Sequence, residues 1–262
     1  MLILGYILAL MMGLTLGLIG AGGSILTVPI LVYLMSVKPI TATGYSLLIV
    51  GATAFTGAIQ YWRKDLVKFK AAFTFAIPAM LAVLITRTYL VPSIPNYVLG
   101  LEKNSLIMVF FAALMMTSAS FILKKPEIII NQNIQSKPNY IKLIFGSAGV
   151  GILTGLVGAG GGFLIIPALI ALFGLSMKEA VGTSLTIIAI NSLVGFKGDL
   201  LSGIEIDWQL LIPFMILTIL GMAFGILLSK KIDGSKLKKI FGLFTLIIGL
   251  VIAIEEIIKL TN

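Results

Sequence analysis

The stretch Gly17-Leu18-Ile19-Gly20-Ala21-Gly22-Gly23-Ser24 is written a second time in this chain, as Gly155-Leu156-Val157-Gly158-Ala159-Gly160-Gly161-Gly162. Shifting the second half back by 138 positions also lays Gly151, Pro167, Gly182, Ser184 and Gly195 onto Gly13, Pro29, Gly44, Ser46 and Gly57, without a gap. Apolar composition pairs Leu with Leu by chance, but it does not hold glycines and a proline in register over about 45 residues. The fold must therefore be made of two equivalent halves.

Lipid has to cover most of the surface. With 59% hydrophobic and 11% charged residues, a chain of 262 cannot hide its apolar side chains in a single soluble core. Hydropathy divides it into ten apolar segments, near 2–20, 23–36, 40–61, 70–90 and 104–123, then near 141–158, 161–174, 179–197, 208–229 and 237–258. The second and seventh are too short to cross a hydrocarbon layer of about 30 Å and read as half-helices or re-entrant pieces. The first run lacks a basic start and its end recurs after Lys142, so it is expected to be part of the structure and not a cleaved leader.

The net charge of +9 sits in the gaps between these segments, where it orients a membrane protein; no basic face with interleaved aromatics suggests nucleic acid. With the N-terminus outside, fourteen Lys and Arg fall in inside loops and five outside, namely Lys38, Arg87, Lys103, Lys197 and Lys259. An odd number of passes per half makes the second repeat enter from the opposite side. The expected fold is an all-α integral membrane protein of two inverted five-segment repeats, 1–123 and 141–262, joined by a cytoplasmic linker at 124–140, with both termini outside.

Inverted repeats with interrupted segments are a transporter architecture, in which broken helices meet around the substrate. A helix starting just after Gly22-Gly23 or Gly160-Gly161 aims unpaired N–H groups and its positive dipole end at the cavity, which favours an anion. The candidate substrate-binding residues are Gly20, Gly22, Gly23, Ser24, Thr43 and Ser46 in the first half. In the second they are Gly158, Gly160, Gly161, Gly162, Thr183, Ser184 and Asn191. Gly13-x-x-x-Gly17 and Gly151-x-x-x-Gly155 have the spacing of helix packing instead. Gly17-x-x-x-x-Gly22 is not a nucleotide loop, because Gly23 stands where the lysine is required.

The chain has no Cys and no His, so thiol, imidazole and the usual zinc or haem chemistry are excluded, and no cofactor, metal site or catalytic residue is expected. All carboxylates are read at segment ends or in loops, with Asp199 paired to Lys197, so no buried acid is expected as an ion relay. A channel or cation-coupled carrier of another small solute is the alternative, ahead of a scaffold or an intramembrane enzyme.

The motif G-x-x-G-x-G-G-[GS]-x-[IL]-x-x-P, at Gly17–Pro29 and Gly155–Pro167, resembles that of the sulfite exporter TauE/SafE family, as do the stretches Ala42–Ser46 and Ala180–Ser184. The resemblance implies a permease for sulfur-containing anions such as sulfite, sulfoacetate or related sulfonates in a prokaryotic inner membrane. Its implied partners are that small anion and the lipid bilayer, with a homo-oligomer left open. Ser24 against Gly162 makes the two half-sites unequal.

Overall fold

The structure is a computed structural model that describes residues 2–20, 22–95, 97–98, 101–124, 140–157, 162–229 and 232–261. Among the described residues the first half forms α1 (Leu2–Ile19), α2 (Gly22–Pro29, continued by a π-helical turn Ile30–Leu34), α3 (Pro39–Trp62) and α4 (Phe69–Ser93, π-helical over Thr86–Leu90). A minimal antiparallel pair, β1 (Tyr97–Val98) and β2 (Leu101–Glu102), turns the chain into α5 (Lys103–Lys124). The second half forms α6 (Tyr140–Val157), α7 (Gly162–Phe173), α8 (Met177–Leu201), α9 (Trp208–Ser229) and α10 (Gly234–Thr261). The linker read at 124–140 lies largely outside the described residues.

The repeat is visible in where helices begin. Pro39 and Met177 open α3 and α8, 138 positions apart, and Phe69 and Trp208 open α4 and α9, 139 positions apart. Local chemistry sets these starts: Pro39 occupies the first turn of α3, where its missing N–H costs nothing. Ser176 caps α8 in a reciprocal box with Glu179, and Asp207 Oδ1 accepts the Gln209 and Leu210 amides that open α9. Gly20, at φ +78°, ends α1 in a left-handed turn that lets α2 fold straight back onto it.

Five of the described helices are long and apolar enough to cross a membrane: α3, α4, α5, α8 and α9. Helices α2 and α7 remain short, as their sequences require. Apolar side chains are exposed at four-residue spacing on α4 (Phe73, Ile77, Leu81, Ile85) and on its counterpart α9 (Ile212, Ile216, Leu220, Phe224). Such continuous apolar stripes face lipid, not water.

The halves interleave. Helix α1 packs on α9 and α6 on α4; α4 also packs on α8 and α9 on α3; α3 packs on α8, and α5 on α10. Exchanging every helix for its counterpart returns the same set of pairs. Glycines make the close contacts. A methyl at Gly13 would strike the Thr218 backbone, and one at Gly17 would lie 2.9 Å from the Ile226 nitrogen; in the counterpart pair, Gly151 meets the Ala79 backbone and Gly155 lies against Thr86. Gly221 and Gly225 of α9 return the contact on the Leu10 and Leu14 backbone. The small-x-x-x-small spacing thus serves packing, as its sequence suggested.

Gly149 has open space where its methyl would be, which makes it the control for these sites. Gly151→Val is expected to lower stability by about 1–3 kcal/mol or more through overpacking. Gly149→Ala is expected to be neutral or to gain up to ~1 kcal/mol of helix propensity. Thermal unfolding of the purified protein in detergent measures both.

Candidate functional site

Helices α3 and α8 cross antiparallel through the centre of the molecule. A methyl at Gly44 would lie 2.9 Å from Asp199 Oδ2, at Gly195 3.2 Å from Leu47, at Gly51 3.2 Å from Ser192 Cβ, at Gly57 3.3 Å from Leu185, and at Gly182 3.1 Å from Tyr61 Cβ. Four of these glycines, 44 with 182 and 57 with 195, are matched pairs of the repeat, so the duplication preserves this crossing. Its midpoint falls at Thr53 and Asn191, which are themselves repeat counterparts.

The candidate hydroxyls and amide are all buried, but they occupy three levels along the crossing. At the centre, Asn191 is fully buried and neither of its amide atoms has a hydrogen-bond partner among the described residues; the same holds for the Ser192 hydroxyl. Beside them Thr53 and Thr218 share a hydrogen bond of 2.9 Å. About 10 Å to one side, seven residues along α3, lies Ser46, fully buried and equally unpartnered. Thr43 is one turn beyond, on the same face of α3.

The same distance to the other side lie Ser184, which donates to the Val181 carbonyl (2.9 Å), and Thr183, whose hydroxyl accepts the Lys68 amide (3.0 Å). Thr183 therefore finishes the start of α4, a contact reinforced by the Lys68–Glu179 ion pair at 2.9 Å.

The first glycine break belongs to this second end. Gly20 lies against Val181, and Tyr61, buried beside it, donates to the Gly17 carbonyl (3.1 Å) and approaches Ser229 Oγ at 3.3 Å. Gly22 opens α2. Gly23 presses on the Met12 backbone and Leu16, so its missing side chain is needed for α2 to fold against α1; Ser24 is fully buried. Gly162, buried, opens α7, whereas Gly158, Gly160 and Gly161 lie outside the described residues. The described members of the group read from sequence as one site are thus spread along the α3–α8 crossing and over the starts of α2 and α7.

One cluster was missed by the sequence reading. Arg87, read there as an outside topology charge, is 1% exposed inside the bundle. Its Nη1 donates to Thr43 Oγ1 at 3.0 Å and lies 3.4 Å from Asp199 Oδ1. Asp199 is buried and pairs with Arg87, while Lys197, its expected partner, is exposed. The reason is helical geometry: residues two apart point away from each other on a helix, whereas α4 brings Arg87 directly across from Asp199. Glu256 is a second buried carboxylate, receiving the Tyr33 hydroxyl (2.8 Å) and Lys259 (3.1 Å). Lys103, also counted outside, is buried with Nζ on the Val91 carbonyl (2.7 Å). Two acids at segment ends, Asp199 near the end of α8 and Glu256 near the end of α10, are therefore buried, where no buried acid was expected.

Among the described residues no group of three or more His, Cys, Asp or Glu comes together to hold a metal ion. Polar groups buried along a glycine-lined helix crossing, within an all-α membrane bundle, suit a membrane transporter. The chain belongs to the sulfite exporter TauE/SafE family, whose model matches residues 5–252. It is 30% identical to a probable membrane transporter protein of Xylella fastidiosa (strain 9a5c) over 251 residues, 92% of this chain and 90% of that one. It is 28% identical to the probable membrane transporter protein YunE of Bacillus subtilis (strain 168), over 96% of this chain and 97% of that one. A shorter stretch, 36% of this chain, is 39% identical to the probable membrane transporter protein MJ0441 of Methanocaldococcus jannaschii. No solved structure matches the chain.

Because the Thr183 hydroxyl is already engaged by the backbone, Thr183→Val is expected to cost about 1 kcal/mol of stability and to leave the concentration dependence of transport unchanged. Thermal unfolding and reconstituted flux on the same variant separate the two effects.

Proposed function

We propose that this transporter is an inverted-repeat permease, with halves 1–123 and 141–262, that moves sulfur-containing anions across the cytoplasmic membrane by alternating access. Sulfite, sulfoacetate and related organosulfonates are its substrates on this reading. The observation that carries it is the antiparallel crossing of the counterpart helices α3 and α8, with the side chains of Ser46 and Asn191 buried in it and without a hydrogen-bond partner among the described residues. Counterparts that run antiparallel are what an inverted pair requires, and donors left unpaired in lipid are costly unless they serve a ligand. The family's name supports the sulfur chemistry.

The orientation has both termini outside and residues 124–140 in the cytoplasm. With Arg87 and Lys103 buried, only Lys38, Lys197 and Lys259 remain as outside charges against fourteen inside, which strengthens the asymmetry. An inside-negative potential then drives an anion outward by about 2.3 kcal/mol per charge at 100 mV, so export needs no coupled ion. A cation-coupled carrier is the second reading, favoured by the buried carboxylates Asp199 and Glu256.

Reconstituted in liposomes, the protein is expected to carry sulfite or sulfoacetate at a rate that follows the membrane potential and is indifferent to a sodium or proton gradient. Asn191→Leu, which keeps the branched heavy-atom skeleton but removes the amide, is expected to slow flux roughly tenfold or more. Lack of flux with every sulfur anion would sink the proposal; dependence on a cation gradient would select the second reading.

A further inference from the structure

Arg87 is held by only part of its guanidinium. Nη1 serves both Thr43 and Asp199, while Nε and Nη2 are buried and have no hydrogen-bond partner among the described residues. These two nitrogens form one edge of the fork, the edge that presents parallel N–H groups to two oxygens of one oxyanion. Asp199 does not satisfy it: the single contact is long, and Asp199 Oδ2 is itself unpartnered. A buried ion pair kept only for packing is expected to use its remaining donors, because each one left dry in lipid is costly.

The surroundings bring both halves to this point. Arg87 lies in the π-helical turn Thr86–Leu90 of α4, and such turns reposition a side chain without breaking the helix. The adjacent Thr86 touches Gly155, three residues before the second glycine cluster begins. Gly198 leaves room for the Arg87 stem and Gly44 for the Asp199 carboxylate, at 3.0 and 2.9 Å from where their methyls would be. Ser46, also unpartnered, is one turn from Thr43.

We propose that Arg87 is an anion-binding residue of the transport path, its Nε/Nη2 edge receiving two oxygens of the oxyanion and Asp199 acting as the internal counter-ion that the entering anion replaces. This assignment rests on the anion-permease reading above and gives it a cationic contact that the glycines and hydroxyls do not supply. The ligand class is an oxyanion with at least two free oxygens on one centre, such as a sulfonate or sulfite. A halide, with a single atom to offer, gains less from the fork. All parts of the cluster are closed from solvent, so the anion reaches Arg87 when the last turn of α8, which carries Asp199, moves away from α4.

The test measures anion-dependent thermal stabilisation in detergent, which reads binding, beside flux in liposomes, using sulfite and sulfoacetate with chloride as the single-atom control. Arg87→Lys keeps the charge and loses the fork; its half-saturating sulfoacetate concentration is expected to rise at least about tenfold. Asp199→Asn removes the competing charge and is expected to lower that concentration. The double variant Arg87→Gln/Asp199→Asn leaves no buried charge unpaired, and is expected to fold and to lose its response to both sulfur anions. A folded double variant with parental half-saturation overturns the proposal, as does parental behaviour of Arg87→Lys if the double variant does not fold. A parental protein that responds to no sulfur anion at all defeats the permease reading itself, a different outcome from a responsive parent whose Arg87 variants are unchanged.

Discussion

Between two helices in lipid there is no hydrophobic push, so association has to come from close van der Waals contact and from polar groups with nowhere else to go. The rest of this molecule depends on how that condition is met at α1–α9 and α4–α6. In each pair glycines of one helix lie against the backbone of the other, Gly13 and Gly17 on α9, Gly151 and Gly155 on α4. Because each pair takes one helix from each half, neither half completes its packing alone. These two contacts hold α3 and α8 between them and bring the two short hairpins, α1–α2 and α6–α7, to their places beside the central crossing.

Much of this was legible in the sequence because each signal is local. The break after α1 follows from its glycines and the short segments follow from length alone, whereas the helix starts at Pro39, at Ser176 with Glu179 and at Asp207 carry local signals that the reading of the sequence did not use. Matched glycines at 44, 57, 182 and 195 announced something shared, and only the structure tells that they face one another across α3 and α8. Gly23 shows the limit from the other side. A run of consecutive glycines reads as a ligand loop, yet this one is required by the closeness of α1.

Arg87 and Asp199 were illegible for a different reason. A charge near the end of an apolar segment looks like the interfacial anchor that orients a membrane protein, and sequence distance gives no hint that residues 112 apart are neighbours. The available signal was the position of Arg87 inside the run 70–90, not beyond it, on the side where basic residues are fewest. A lone arginine on the poorly charged side of a span has less to contribute to orientation and therefore more reason to have a partner.

The duplication then sharpens what the cluster means. Shifting by 138 positions carries Thr43 to Val181 and Asp199 to Tyr61, so the buried carboxylate at one end of the crossing has a buried phenol as its counterpart, and the charges at that second end, Lys68 and Glu179, form a partly exposed pair. There Tyr61 bonds the Gly17 carbonyl and approaches Ser229, using a phenol where the other end uses a carboxylate and a guanidinium. The neutral hydrogen bonds of the phenol are weaker than charge-assisted ones, and the partly exposed Lys68–Glu179 pair is screened by water as the buried Arg87–Asp199 pair is not. The two ends of the crossing are therefore held by different forces. On the proposed orientation and transport path the end with the buried ion pair is the outer one, so an outward-moving anion would pass Tyr61 first, cross the level of Asn191, and meet the guanidinium last. On the same proposal a cation at the exit would draw the anion through the low-dielectric centre, and Asp199 beside it would supply the competing charge that allows the anion to leave again.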